Sequence, residues 1–477
     1  PDTRRNRTSL MKMYHTRLLF SFSIILLIAA GCADLGSYTR MTDQARLSIS
    51  QGRFEDALTV FPEKSARGRN EVLVRLERAL LLQNMGRYDE SAREFELAVA
   101  RIRGYEGKAV VSATRTASQI GSLILNEKVR PYEGEDFEKI LIHAFDAVNY
   151  LMKGDLEGAR VEIRNAYQRQ NELYARHEKE LEKAAKESRG ASWEQSFQKA
   201  DRSRYEELRQ KSDNVLSVYQ NAFAYYISSL VYELGGEKDE AYIDLKKAIL
   251  AAPWSKSIQK DLIRLSRDLG YPDDEKKWQA DYGNLGSGYG RGVDVFVIFQ
   301  HGAAPVKEAL QVPIPLSEGG FVFTSLPVYR FIPSGIRSCT VTYNGQELET
   351  SPVSDIEAIA SRNLLDRYPI LFAKQVARSY LKARMTNKLS KDYGAIGAVT
   401  GTLASAVTEQ ADLRTWAVLP KEIQVARIFI PKETRAITVR SIPTNHEHLV
   451  DVNEGARHLI VLCRDTDAGL SLQTKAY

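Results

Sequence analysis

The chain has 477 residues, too many for one ordinary core, and 43% of them are hydrophobic, which allows well-packed interiors and argues against disorder. Its formal charge of +5 sits largely at the N-terminus, where Arg4, Arg5, Arg7, Lys12 and Arg17 face only Asp2; the rest holds 61 basic and 60 acidic residues and offers nucleic acid no electrostatic handle. Three cysteines, Cys32, Cys339 and Cys463, exclude a disulfide-stapled scaffold.

Lys12, His15 and Arg17 precede an apolar run from Leu18 to Ala30. It is shorter than the roughly 20 residues a membrane-spanning helix needs. A basic segment, a short apolar run and small residues at its end make a secretory signal, with Met11 or Met13 as the expected start. Ala29-Ala30-Gly31-Cys32 resembles a bacterial lipobox, with Ala29 where leucine is commoner. The resemblance implies cleavage before Cys32, acylation of its thiol and a permanent membrane anchor at about 0.8 kcal/mol per buried CH₂. Ala33, rather than aspartate, follows the cysteine. The same resemblance therefore implies the outer membrane, with residues 32–39 as a tether and the body in the periplasm.

Residues 40–282 read as helical repeats. Gly52, Gly86, Gly154 and Gly236 each close one helix and are followed by acids suited to the next helix N-terminus. Five residues on stands a small side chain (Ala57, Ser91, Ala159, Ala241) and nine on a large apolar one (Phe61, Phe95, Ile163, Leu245). Ala98, Ala166 and Ala248 follow at twelve, and Ala45, Ala79, Ala147 and Ser229 precede by seven. Small residues let two helices approach, and large ones fill the gap to the next pair. The pattern resembles the tetratricopeptide repeat, broken by two insertions. The first, 108–128, reads as a helix before the loop Arg130 to Phe137. The second, 165–213, is rich in both charges and reads as a helical hairpin, either a solvated arm or a docking arm.

The segments Tyr132-Glu133-Gly134-Glu135-Asp136-Phe137 and Asn221-Ala222-Phe223-Ala224-Tyr225-Tyr226 resemble an uncharacterised family of bacterial tetratricopeptide lipoproteins, which implies architecture and no established activity. In the fourth copy, Phe223, Tyr226, Leu230 and Glu233 fall on first-helix positions that face the concave groove of such arrays, though several equally suit a core.

Residues 283–292 form a glycine-rich linker; no Gly-Lys-Ser/Thr triplet supports a phosphate loop. Residues 293–477 read as β-rich. Strand signals cover 293–299, 310–316, 321–326, 339–343, 346–349, 424–430, 435–442 and 458–464, and Asn344-Gly345 marks a hairpin. The expectation is a β-sandwich with a helical insertion over 354–411, giving an α+β multidomain chain overall. Cys339 and Cys463 fall in strands, as two buried thiols or a single disulfide. Gly397, Gly401 and Ser405 place a smooth stripe on one helix, for close packing or for a membrane or oligomer contact.

His301 to Glu308 and Ala411 to Trp416 also resemble the lipoprotein family. Lys307, Asp412, Arg414 and Trp416 are a possible second site, with an Asp412–Arg414 ion pair beneath a packed Trp416 as the structural alternative. His446-Glu447-His448 lacks a third ligand at supporting spacing, so no metal is expected. No metalloprotease motif, nucleophile elbow or Cys/His pairing appears. The reading is a non-enzymatic scaffold without cofactor that binds envelope proteins or peptide segments in its groove. A cell-wall or polysaccharide-binding regulator is the first alternative, with peptidoglycan contact through the β-rich half, and an unrecognised cell-wall hydrolase the second.

Overall fold

The computed structural model describes residues 38, 40–113, 130–188, 190–285, 289–315, 321–380 and 411–477. The lipobox, Cys32 and the stripe at 397–405 lie outside these residues, as does most of the first insertion. Helices fill the N-terminal half and three sheets the C-terminal half, an α+β chain as read.

Helix α1 (40–50) is followed by α2 (Phe54–Val60), α3 (Glu71–Asn84), α4 (Tyr88–Ala113), α5 (Asp136–Lys153) and α6 (Leu156–Glu187). After α7 (Trp193–Ala200) and α8 (Arg202–Ser212) come α9 (Ala222–Leu234), α10 (Lys238–Ala251), α11 (Lys256–Asp268) and α12 (Pro272–Tyr282). The four repeat glycines share one turn. Each has φ between 70° and 85°, and the N–H of the next residue reaches back five positions at 2.8–2.9 Å, as in Tyr232 O accepting from Glu237. That is a left-handed helix cap, which glycine adopts without steric cost. Gly270 makes a fifth such turn between α11 and α12; it lacks the repeat's side-chain spacing and was illegible as a copy. Every repeat position is buried, from Ala45 and Ala79 through Phe61 and Phe95 to Leu245 and Ala248.

Helix α5 is the centre of the array, with only Tyr150 and Lys153 not buried. Its polar side chains are partnered: Asn149 accepts from Gln83 at 2.8 Å and donates to Ser91, and Lys139 meets Glu106 at 3.0 Å.

The second insertion departs from a solvated arm. Helix α6 runs out, and the returning α7 and α8 pack against a further helix, α13 (356–380). The rings of Trp193 and Phe197 pack against Tyr368 at a tilt, at 5.3 and 5.2 Å, and Phe197 and Tyr368 are fully buried. Three apolar anchors in the charged stretch, Phe197, Tyr205 and Leu208, decide this over its overall polarity.

The main sheet has the order β11-β10-β1-β7-β6, with β1 (Val293–His301), β6 (Ser351–Asp355), β7 (Glu422–Ile430), β10 (His458–Thr466) and β11 (Gly469–Ala476). Strand β1 is parallel to β10 and antiparallel to β7. A second sheet, β5-β4-β8-β9, comprises β4 (Ser338–Tyr343), β5 (Gln346–Glu349), β8 (Ala436–Ile442) and β9 (Glu447–Asp451). Strands β2 (Val306–Pro315) and β3 (Phe321–Arg330) form a separate ribbon. The Asn344-Gly345 turn joins β4 to β5 with both residues at positive φ.

The main sheet is buried on both faces. Val295, Val297 and Phe299 pack toward the second sheet with Val341, Val439 and the free thiols of Cys339 and Cys463. Phe296, Ile298, Val425 and Leu462 pack toward the helices in the same core as Phe145 and Tyr226. The result is three layers: helices, sheet, sheet. Among the described residues, no helix is long and apolar enough to cross a membrane.

Candidate functional site

The inner face of the helical array carries the residues expected to meet a partner, and here the structure corrects the sequence reading. Phe223, Tyr226 and Leu230 on α9 are at most 2% exposed, and the side chain of Glu233 is 8% exposed. Tyr226 lies 5.3 Å from the ring of Phe296 on β1 and donates to Asp261 at 2.6 Å. Glu233 sits between Arg264 (2.7 Å) and Arg427 of β7 (2.8 Å). Burial alone would raise its pKa, but the two guanidinium groups hold it at about 2. The chain's own sheet occupies this face, because an apolar concave surface left open would expose several large side chains to water.

The second predicted cluster is brought together. Residues 411–420 run irregularly between the helices and β7, with Trp416 fully buried. Its ring meets Phe95 and Phe145 edge-on, both at 5.9 Å. The backbone of this segment is held by two buried carboxylates. Glu138 of α5 accepts from Trp416 N at 2.8 Å; Glu77 of α3 accepts from Ala417 N and Val418 N at 2.8 and 2.9 Å. Tyr38 donates to Glu77 at 2.7 Å and to Thr415 O at 3.0 Å. Tyr132 donates to the other oxygen of Glu138 at 2.6 Å.

Arg414 is 2% exposed. It pairs with Asp412 at 2.6 Å and donates to the carbonyls of Arg69 and Arg130 at 3.2 and 3.0 Å. The ion pair is therefore also a staple between segment 411–420 and the loops beside α3 and α5. Lys307 of β2 donates to Arg414 O at 3.1 Å and to Glu135, the N-cap of α5. Glu135 also accepts from Asn363 (3.0 Å) and from Arg367.

Burial raises all three carboxyls, and the neighbours decide the outcome. For Glu135 the cations of Arg367 and Lys307 outweigh burial and hold it well below the carboxylate range. Glu138 has no cation of its own, so burial and the charge of Glu135 raise it. Burial pushes Glu77 up to about 7 despite its three hydrogen bonds. Sequence reasoning missed these glutamates. Two signals were present: the Glu135/Glu138 capping box, and a lone carboxylate within the apolar run Leu73 to Leu82.

Beside this junction lies an open cleft of about 410 Å³, lined by Arg130, Glu133, Arg176, Glu180, Leu371 and Lys374 among others. Its carboxylates are largely neutralised within the chain. Arg176 bridges Asp136 at 2.7 Å and Glu106 at 2.8 Å; against burial, Lys139 and Arg169 bring Glu106 to about 2. Elsewhere, His446 meets Asp465 at 3.0 Å, and His448 is exposed on β9. No group of three His, Cys, Asp or Glu suited to a metal occurs among the described residues.

No protein-family model and no curated protein matches the chain. Among solved structures, a crystal structure of the MamA protein aligns with a TM-score of 0.30 and 14% identity, covering 52% of this chain and 90% of that one, a likeness too slight to bear on fold or function.

Proposed function

We propose that the protein is a non-catalytic interaction scaffold of the bacterial envelope, a tetratricopeptide-like array held at the periplasmic face of the outer membrane by acyl chains on Cys32. The observation that carries this reading is the grip on residues 411–420. Carboxylates on two repeat helices take successive backbone N–H groups while one aromatic fills a deep pocket. Main-chain recognition plus an anchoring side chain is how helical arrays hold extended peptides.

Because the inner face is filled, an envelope partner is expected at the open cleft. Photo-crosslinkers placed at Glu133 and at Glu180 in cells should capture one discrete envelope protein; capture at neither position would overturn the reading. Cys32→Ser should abolish palmitate incorporation and release the chain from the membrane; a variant that stays lipidated would remove the anchor from the proposal.

One feature favours a second reading, contact with wall polysaccharide. Phe321 and Phe323, on one face of the β2–β3 ribbon, are 59% and 62% exposed. Co-sedimentation with purified sacculi that falls when both become alanine would favour it; no co-sedimentation of the intact chain would end it.

A further inference from the structure

A second cavity, of about 260 Å³, opens between α1, the β3–β4 loop and the end of β10. Its walls are largely apolar: Leu47, Ile332, Pro333, Ile336, Val418 and Leu419. Two arginines also line it, Arg46 from α1 and Arg464 from β10. Arg464 is 4% exposed and donates one hydrogen bond, from Nη2 to Gly302 O at 2.8 Å. Its Nε and Nη1, and the Nε and Nη2 of Arg46, are buried and donate to nothing.

Unpaired buried guanidinium N–H groups are costly, and a fold normally pairs them or leaves the residue outside. The acids at hand do not do so. Asp465 is the next residue along β10, so its side chain leaves the opposite face of the strand. There its oxygens meet His446 at 3.0 Å and Thr444 at 3.4 Å. Asp467 is exposed at the rim. Glu77, which acts electrostatically on Arg46, already accepts from Tyr38 and two backbone N–H groups. Burial, only partly offset by Asp465, lowers the Arg464 guanidinium to about 10. Two cationic forks therefore line an apolar hollow with donors to spare.

We propose that this cavity binds a small amphiphilic anion, a carboxylate or phosphate head on a short apolar body, with Arg46 and Arg464 taking the head. Guanidinium forks match either head by paired hydrogen bonds. A cavity of about 150 Å³ holds benzene, so this one takes a body of about ten non-hydrogen atoms.

Calorimetric titration of the full chain with decanoate should show saturable binding of one molecule per chain. Acetate and inorganic phosphate, which supply a head alone, and decanol, which supplies a body alone, should each bind at least about tenfold more weakly. Decyl phosphate in place of decanoate reads which head is preferred, and a clear gain of either amphiphile over its head alone sustains the site. Arg464→Met should weaken decanoate by about ten- to a hundredfold, the worth of a charged hydrogen bond. The unliganded variant should melt no lower than the parent, because it removes an unpaired buried cation; an arginine kept for structure would lower it. Arg46→Gln, at a half-buried position, should give a comparable loss of affinity and serves if the first variant does not fold. Decanol equal to decanoate, no saturable binding of either amphiphile, or unchanged affinity in both variants would overturn the proposal.

Discussion

Replacing Arg427 with methionine should loosen the sheet from the helical array it covers. The guanidinium is 2% exposed on β7. It meets Asp294 of β1 at 2.5 and 2.9 Å, Glu233 of α9 at 2.8 Å and Asp261 of α11 at 3.5 Å. Removing one partner of a buried ionic cluster costs about 3–5 kcal/mol; Glu233 and Asp261 keep Arg264 and Asp294 keeps His458, which puts the loss at the low end of that range. The cost should depend on pH in a definite direction. In the parent, Glu233 is held at about 2 instead of 4.5, and Asp294 is likewise lowered. Glu233 alone then contributes about 3 kcal/mol above pH 5, shared between Arg427 and Arg264, and that stability is lost as pH falls from about 4.5 through 2. In the variant, Asp294 keeps its bond to His458 and the more distant Arg264 but loses its chief cation, so burial raises its carboxyl, and stability is present at low pH and lost as pH rises. The deficit measured by equilibrium urea unfolding should therefore be largest near about pH 7.5 and shrink toward about pH 5. The parent should unfold in one transition, since a single core runs through helices and sheet. A deficit below about 1 kcal/mol, or one equal at both pH values, would refute the reasoning.

Other consequences can be checked separately. The Glu77 carboxyl should titrate near 7 by carbon NMR, with Glu77→Gln identifying the signal; a midpoint near 4.5 would mean that it is not desolvated. The thiols of Cys339 and Cys463 are buried and free, and burial pushes Cys339 up to about 12. Neither should react with a thiol reagent until the chain is unfolded, and prompt labelling of the native protein would contradict this placement. Trp416→Ala should cost about 3–5 kcal/mol in urea unfolding, the usual loss for a fully buried aromatic, and open segment 411–420 to proteolysis. Gly292→Ala should destabilise by more than about 1 kcal/mol: its φ is +100°, and a Cβ there would collide with the Ile430 carbonyl oxygen.

The repeats were legible because a turn glycine and its small and large neighbours are local facts with a fixed spacing. Eight of the strands were legible from β-branched and aromatic runs. The three that were missed, β6, β9 and β11, are all edge strands. Each has one unpaired side and carries residues such as Pro352, Glu447 and Lys475 that suit an edge and blur the pattern. The error over Phe223, Tyr226, Leu230 and Glu233 has a different origin. An apolar helix face announces that it is covered, but not by what. The cover is β1, about sixty residues beyond the end of α9, whose nearly continuous apolar run marks both of its faces as buried without saying what they meet. Asp412 and Arg414 were legible as a pair, whereas their carbonyl partners at Arg69 and Arg130 lie about three hundred residues away and leave no local trace.

The parallel pairing of β1 with β10 has a consequence for how this chain comes to be folded. Strand β1 spans Val293–His301, and the strand beside it spans His458–Thr466. The final strand, β11, then carries Gln473 to the carbonyl of Asn84 and Tyr477 to that of Leu151. A chain emerging N-terminus first thus completes its repeat helices long before their cover exists. At about 5–20 residues per second, the inner face between α9 and β10 waits on the order of ten to fifty seconds. During that interval Phe145 lacks Trp416, and the β1 strand that Tyr226 meets lacks its parallel neighbour. Assembly is governed by the last segments to arrive, and a chaperone able to shield an apolar helical face would have its greatest effect in that interval.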